Sequence, residues 1–226
     1  MAYSDLAERV AEVRERIAMA RARGGHGQDV TIVGVTKTHG PDAVTAAFEA
    51  GLTDVGENRT QEALRKMPAV SVPVGWHLIG HLQRNKAREA TKFALIHSVD
   101  SVRLASALAG IGSREGVIDV LLQVNASGEE SKGGFQPSSV AAGADRLKAL
   151  DGIRVRGVMT MAAFDAAENE IRHTFDVARE ALRQVAQAGH PAVELSMGMS
   201  QDYEIAVEEG ATIVRLGTTL FGPRGD

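Results

Sequence analysis

The sequence predicts a (β/α)8 TIM barrel preceded by one extra helix. Strands alternate with helices along the 226 residues, eight strands in all, each but the last followed by a helix. The intervening helical patterns are roughly ten to fifteen residues long, the spacing of parallel strands joined by crossovers, and eight such strands suggest a closed barrel. The rival, an open doubly wound sheet, lacks its usual marks: no GxGxxG follows a strand and no Walker lysine motif is present. The length is slightly under the ~250 residues usual for a barrel, which implies short loops. Residues 1–226 are read as one domain.

The elements follow in order. Leu6, Val10, Val13 and Ile17 recur at helical spacing, with Asp5 and Glu8 spaced for a capping box and Gly24-Gly25 as the stop. "DVTIVGV" is a buried strand, and "PDAVTAAFEAG" a helix with proline in its first turn and glycine at its end. "LTDVG" is a short strand, and in the helix "NRTQEALRKM" Asn58 and Gln61 have capping-box spacing. Next come "GWHLIG" and the helix "LQRNKAREA", "FALIHSV" and the helix "SVRLASALAGI", then "GVIDVLLQVN" and, after a polar loop, the helix "SSVAAGADRLKAL". "IRVRGVMT" precedes a long loop and a strong helix whose face holds Ile171, Phe175, Ala178, Leu182 and Val185. "PAVELSMG", the helix "QDYEIAVEEG" and the strand "ATIVRLGT" finish the cycle. No eighth outer helix is evident, and the N-terminal helix is expected to cover that gap.

Composition narrows the chemistry. There are no cysteines, which excludes disulfides, thiolate catalysis and cysteine-ligated metals and fits a cytoplasmic protein. A net charge of -4 does not favour a nucleic-acid partner. The charged N-terminus is not a signal peptide, and no apolar stretch is long enough for a membrane helix. A closed barrel has no strand edges to cover, so a monomer is expected.

A barrel's site lies at the C-terminal ends of its strands. Lys37 ends the first strand, either as a solvated lysine or as an amine for Schiff-base chemistry. "LSMGMSQD" and "RLGTTLFG" end the seventh and eighth strands, and glycines and hydroxyls at those two positions favour phosphate. Ser200 is also placed to cap the helix beginning at Gln201. Arg215 sits in an otherwise apolar strand, there to pair with a core acid such as Glu194 or to face a ligand. Asn58 reads as a helix cap or a site residue, and Glu57 as a general acid or the partner of a nearby cation. His77 and His81 tempt a metal reading, but no HExxH pattern or third ligand accompanies them, and no metal site is expected. No GxSxG marks a serine nucleophile.

Seven segments, spread over nearly the whole chain, carry a resemblance: "VGVTKTH" (33–39), "VGENRTQEA" (55–63), "WHLIGHLQRNK" (76–86), "HSVDS" (97–101), "GVMTMA" (157–162), "LSMGMSQD" (195–202) and "VRLGTTLFGPR" (214–224). In these the chain resembles the YggS/PROSC family of pyridoxal-phosphate-binding homeostasis proteins. The resemblance implies a barrel like the N-terminal domain of alanine racemase and pyridoxal 5'-phosphate (PLP) as cofactor. By that match Lys37 is the Schiff-base lysine. Ser200, Gly217 and Thr218 are phosphate-loop residues, and Arg215 faces the pyridine nitrogen. Asn58 lies near the cofactor, His77 beside or behind the ring, and Met197 packs nearby. Lys132 matches a loop lysine discussed as an auxiliary site for the aldehyde.

An arginine at the ring nitrogen disfavours a proton there, weakening carbanion chemistry. A racemase also needs a base on each face of its substrate, and the only tyrosines are Tyr3 and Tyr203, with no second domain expected to supply another. The family resemblance therefore implies a non-catalytic protein that maintains PLP and amino-acid/keto-acid balance, with apo PLP enzymes as transient acceptors. The alternatives are a PLP-dependent racemase or decarboxylase, and a cofactor-free phosphosugar lyase or isomerase.

Overall fold

Residues 3–129 and 133–222 are described by a computed structural model, in which eight parallel strands close into a barrel in sequence order, β1 to β8. The strands are β1 (Thr31–Val35), β2 (Asp54–Glu57), β3 (Gly75–Leu78), β4 (Leu95–Val99), β5 (Ile118–Gln123), β6 (Ile153–Met159), β7 (Glu194–Ser196) and β8 (Ile213–Leu216). The ring closes where β8 pairs with β1, Thr31 opposite Ile213 and Gly34 opposite Leu216. A closed ring of parallel strands leaves no edge bare.

Strand alternation sorts the side chains into two layers. Val33, Leu95, Leu121, Met159 and Ile213 point inward and pack together inside the barrel. Their neighbours Ile32, Ile96, Leu122, Val158 and Val214 point outward into the larger core beneath the helices. The same parity places Arg215 two residues beyond Ile213, and His97 two beyond Leu95, on the inner face. The interior therefore holds polar side chains beside its apolar cluster.

The outer helices are α1 (Leu6–Gly24), α2 (Pro41–Glu49), α3 (Thr60–Lys66), α4 (Val102–Glu115), α5 (Val140–Leu147), α6 (Glu168–Gln187), α7 (Tyr203–Glu208) and a four-residue α8 (Thr218–Phe221). The crossover after β3 is a 3-10 helix, Arg84–Lys92, not the expected α-helix. Its only buried residues are Ala87 and Ala90, three apart, which suits the three-residue turn of a 3-10 helix.

Helix α1 buries Leu6, Val10, Val13, Ile17 and Ala20 and lies against α2, α7 and the short α8, filling the place of the missing eighth helix. Arg16 and Arg23 pair with Glu204 and Glu208 of α7, each at 2.5 Å. Such exposed pairs are worth about 0.2–1 kcal/mol each. Each buried Leu, Val or Ile is worth about 1.5–3 kcal/mol, so the apolar stripe holds the helix.

Two expected capping boxes do not form. Asp5 makes no cap bond and pairs with Arg9 one turn on. Helix α3 begins at Thr60 with Arg59 before it, so Asn58 lies outside the cap. Helix α4 is capped conventionally, with Ser101 Oγ accepting from the Leu104 N–H at 3.3 Å.

Candidate functional site at the barrel mouth

The chain turns sharply beyond β1. Thr38, just after Lys37, has φ of 71°, a left-handed conformation uncommon for a β-branched residue. Its N–H donates to Glu62 Oε1 at 2.5 Å, and the His39 N–H donates to the Thr36 carbonyl at 3.0 Å. Behind the turn Lys66 Nζ donates to the Thr36 carbonyl, Glu57 and Glu62, each at 2.8 Å. Thr36 Oγ1 adds a bond to Glu57 at 2.6 Å. Glu57 is therefore a structural partner and not an acid facing the cavity. Burial pushes its carboxyl above the ordinary carboxylate range, against the pull of Lys66 and Thr36. This cluster fixes the backbone that carries Lys37.

On the other side the loops after β7 and β8 are joined directly. Ser200 Oγ accepts from the Thr219 N–H at 3.2 Å. It does not cap α7; Asp202, immediately before that helix, instead accepts from the Met199 N–H at 2.6 Å. Gly198 has φ of 91°, and a Cβ there would stand 2.5 Å from that of Ala206, so only glycine lets α7 approach the loop.

Arg215 is 4 % exposed. Its Nη1 donates to Ser196 Oγ at 2.5 Å and its Nη2 to the Thr160 carbonyl at 3.0 Å. Of the two readings of Arg215, the pairing with Glu194 does not occur: that carboxylate accepts from Thr212 Oγ1 at 2.8 Å and lies 3.9 Å from Arg156. No described carboxylate lies within ion-pair distance of Arg215. Burial lowers its pKa to about 10, partly offset by Asp202, so it remains a cation at neutral pH.

These groups meet in a cavity of about 940 Å³. Lys37, Asn58, Ser200, Arg215, Gly217 and Thr218 all line it. His77 and Met197 do not. Met197 is fully buried in the outer core, and His77 lies inside the barrel between Asp54 and His97, at 3.1 and 2.9 Å. The displacement follows from strand position, since His77 precedes the end of β3 whereas Ile79 and Gly80 beyond it reach the cavity. His81 is exposed and pairs with Asp100 at 3.3 Å, well apart in role from His77. Among the described residues no group of three His, Asp or Glu is placed to hold a metal. Lys132 lies outside the described residues.

The cavity also takes in His39, Gln123, Met161, Phe164 and Met199, none singled out from the sequence. Met161 and Phe164 come from the long loop after β6, whose length was the available signal. Tyr203 is 3 % exposed, is absent from the cavity wall and packs beneath the Arg16 guanidinium.

The family model for the alanine racemase N-terminal domain matches residues 9–225. The pyridoxal phosphate homeostasis protein of Aquifex aeolicus is 39 % identical over 222 residues, covering 96 % of this chain and 97 % of that protein. PipY of Synechococcus elongatus PCC7942, solved with PLP bound, superposes with a TM-score of 0.84 at 36 % identity, covering 96 % of this chain and all of that one. An alanine racemase of Clostridium difficile 630 shares the fold at a TM-score of 0.75 and 17 % identity, this chain covering 58 % of its length. With a mouth built of Lys37, two hydroxyl-rich loops and a buried arginine, and with relatives alike over most of their length, the chain belongs to the YggS/PROSC family of pyridoxal phosphate homeostasis proteins, on the barrel of the alanine racemase N-terminal domain.

Proposed function

We propose that the chain, as one unit of residues 1–226, binds PLP reversibly at the barrel mouth and serves PLP and amino-acid/keto-acid homeostasis without turning over a substrate. The observation that carries this is the donor set of the cavity. It joins an amine, a pair of hydroxyl- and glycine-rich loops, and a guanidinium bonded, among the described residues, to neutral oxygens. Those groups suit an aldehyde, a phosphate and a pyridine nitrogen respectively.

When bound, the cofactor supplies an aldehyde that condenses reversibly with a primary amine. Lys37 is the amine, and the clamped turn behind it fixes where that amine begins. Ser200, Gly217 and Thr218 hold the phosphate, and Asn58 borders the ring. Arg215 keeps its own charge at neutral pH and repels a proton on the ring nitrogen, which limits electron withdrawal into the ring. That favours holding over carbanion chemistry. The racemase alternative needs a second acid–base group facing the substrate, from Tyr203 or a histidine; Tyr203 is absent from the cavity wall, whereas His39 and His81 line it.

The protein is proposed to act as a monomer in the cytoplasm and to pass PLP to apo enzymes; no described helix is long and apolar enough to cross a membrane. The test is borohydride reduction of the PLP-loaded protein followed by peptide mass mapping. The tag is expected on Lys37, and a Lys37→Ala protein is expected to stay colourless. A tag found only on another lysine, such as Lys132, overturns the assignment. Racemisation or decarboxylation of any amino acid by the loaded protein would favour the enzyme.

A further inference from the structure

A continuous line of side chains crosses the barrel interior from the opposite end of the strands to Arg215. Arg215 Nη1 lies 2.5 Å from Ser196 Oγ, and Ser196 Oγ lies 2.9 Å from His97 Nδ1. His97 Nε2 lies 2.9 Å from His77 Nδ1, and His77 Nε2 lies 3.1 Å from Asp54 Oδ1. Five strands contribute: β8, β7, β4, β3 and β2. His97 and Ser196 are fully enclosed, and Asp54, at the first position of β2, is partly open to solvent.

The chemistry of the two ends fixes the outer bonds, and a single proton on His77 then fixes the inner ones. A guanidinium only donates and a carboxylate only accepts. Arg215 therefore donates to Ser196, and His77 gives its Nε2–H to Asp54. Burial first, with the Arg215 charge nearby, keeps His97 neutral, with one N–H and one bare nitrogen. With one proton on His77, given from Nε2 to Asp54, His77 Nδ1 is bare and accepts from His97 Nε2–H, so Ser196 gives its own proton to His97 Nδ1. The opposite polarity would require a doubly protonated His77.

We infer that this one-way chain positions Arg215 for its ligand, with His97 and Ser196 as positioning residues and Asp54 as the anchor that sets the chain's polarity. The assignment of Arg215 to the cofactor ring rests on the function proposed above, whereas the polarity of the chain does not. With Nη1 committed to Ser196 and Nη2 to Thr160, the guanidinium plane is fixed and its orientation at the cavity is set from the far end of the barrel. The geometry around Asp54 is built for this. A Cβ on Gly75 would come within 2.5 Å of Asp54 Oδ1, so glycine there leaves the carboxylate the room it needs to reach His77.

The test is nitrogen-15 NMR of histidine-labelled protein without cofactor, paired with the absorption spectrum after PLP is added. In the unaltered protein His97 is expected as the Nε2–H tautomer alone; finding it as Nδ1–H overturns the proposal. Asp54→Ala removes the anchor, and His97, two residues along the chain, is expected to become a mixture of tautomers while the absorption band of added PLP shifts. Gly75→Ala, which displaces the carboxylate without altering any chain member, is expected to do the same. Asp54→Asn retains an oxygen acceptor and is expected to restore the single tautomer and the original band. If neither Asp54→Ala nor Gly75→Ala moves His97, or if Asp54→Asn displaces the band as far as Asp54→Ala does, the relay is wrong. Should PLP fail to mark Lys37, the functional reading falls while the tautomer result still decides the chain.

Discussion

Two buried cations stand near the mouth of this barrel, and their surroundings differ. Lys66 on α3 is 6 % exposed and touches two glutamates and a carbonyl. Arg215 on β8 is 4 % exposed and touches a hydroxyl and a carbonyl. Burial alone does not mark a ligand-binding group. The lysine's charge is matched inside the protein, so it fastens β1, β2 and α3 together. Among the described residues no carboxylate is bonded to the arginine, so its charge retains attraction for an acceptor from outside. A buried cation held by neutral oxygens is costly to maintain, and its place on the cavity wall supplies the reason.

The contrast predicts opposite profiles for the two substitutions. Lys66→Met strands the enclosed Glu57 carboxylate and should cost about 3–5 kcal/mol of stability by urea unfolding. Arg215→Met leaves acceptors unmade but no opposed charge. It should cost less, about 1–3 kcal/mol, while changing the absorption of added PLP more than any stability measure. Equal losses for the two would erase the distinction. Ser200→Ala removes one hydroxyl from the phosphate side and should weaken PLP binding by about 1–2 kcal/mol, read by titration. Unchanged affinity would remove Ser200 from the phosphate site.

The smallest effect is in pH dependence. Glu57 has a raised carboxyl pKa in the folded state, so the fold binds its proton more tightly than the unfolded chain does. Stability contributed at low pH is then lost as pH rises above the ordinary value of 4.5. Glu62, first opposed by burial but held below its ordinary range by Lys66 and the Thr38 N–H, has the opposite sign and loses its contribution as pH falls. The stability of the unaltered protein relative to Glu57→Gln should therefore decline as pH increases through that window. A rise instead would mean that Lys66 outweighs burial.

Much of the scaffold was legible because its signals are local and repeated. Alternating strands and helices, apolar stripes such as Leu6 to Ile17, and the glycine stops all act within a few residues. The strand-end rule brought Lys37, Ser200, Arg215, Gly217 and Thr218 to one place because a closed parallel barrel gathers all its C-terminal strand ends. The caps were less legible. Asn58 and Ser200 have cap-forming side chains, but tertiary packing placed them on the cavity wall, and Asp202 took the turn instead. The Glu57–Lys66 pair joins a strand to the far end of a helix, a contact no periodicity reports. His97 stood in plain view within "LIHSV", yet its partners come from strands 20 and 99 positions away. A polar residue on an inward-facing strand position was the only hint that such a chain existed.

The seam of the ring has a consequence for folding. Arg9 of α1 donates to the Leu220 carbonyl, 211 positions away, and Gln28 to the Val207 carbonyl, 179 positions away, beside the pairing of β1 with β8. Lys37 lies on one side of this seam, and Gly217 and Thr218 on the other. Neither half of the polypeptide holds both walls of the site proposed for a phosphorylated aldehyde. On the proposed assignment, capture of PLP awaits the most distant contacts in the chain, which form slowly because so long a loop has to close. Fragments and partly folded intermediates should consequently remain unable to sequester it.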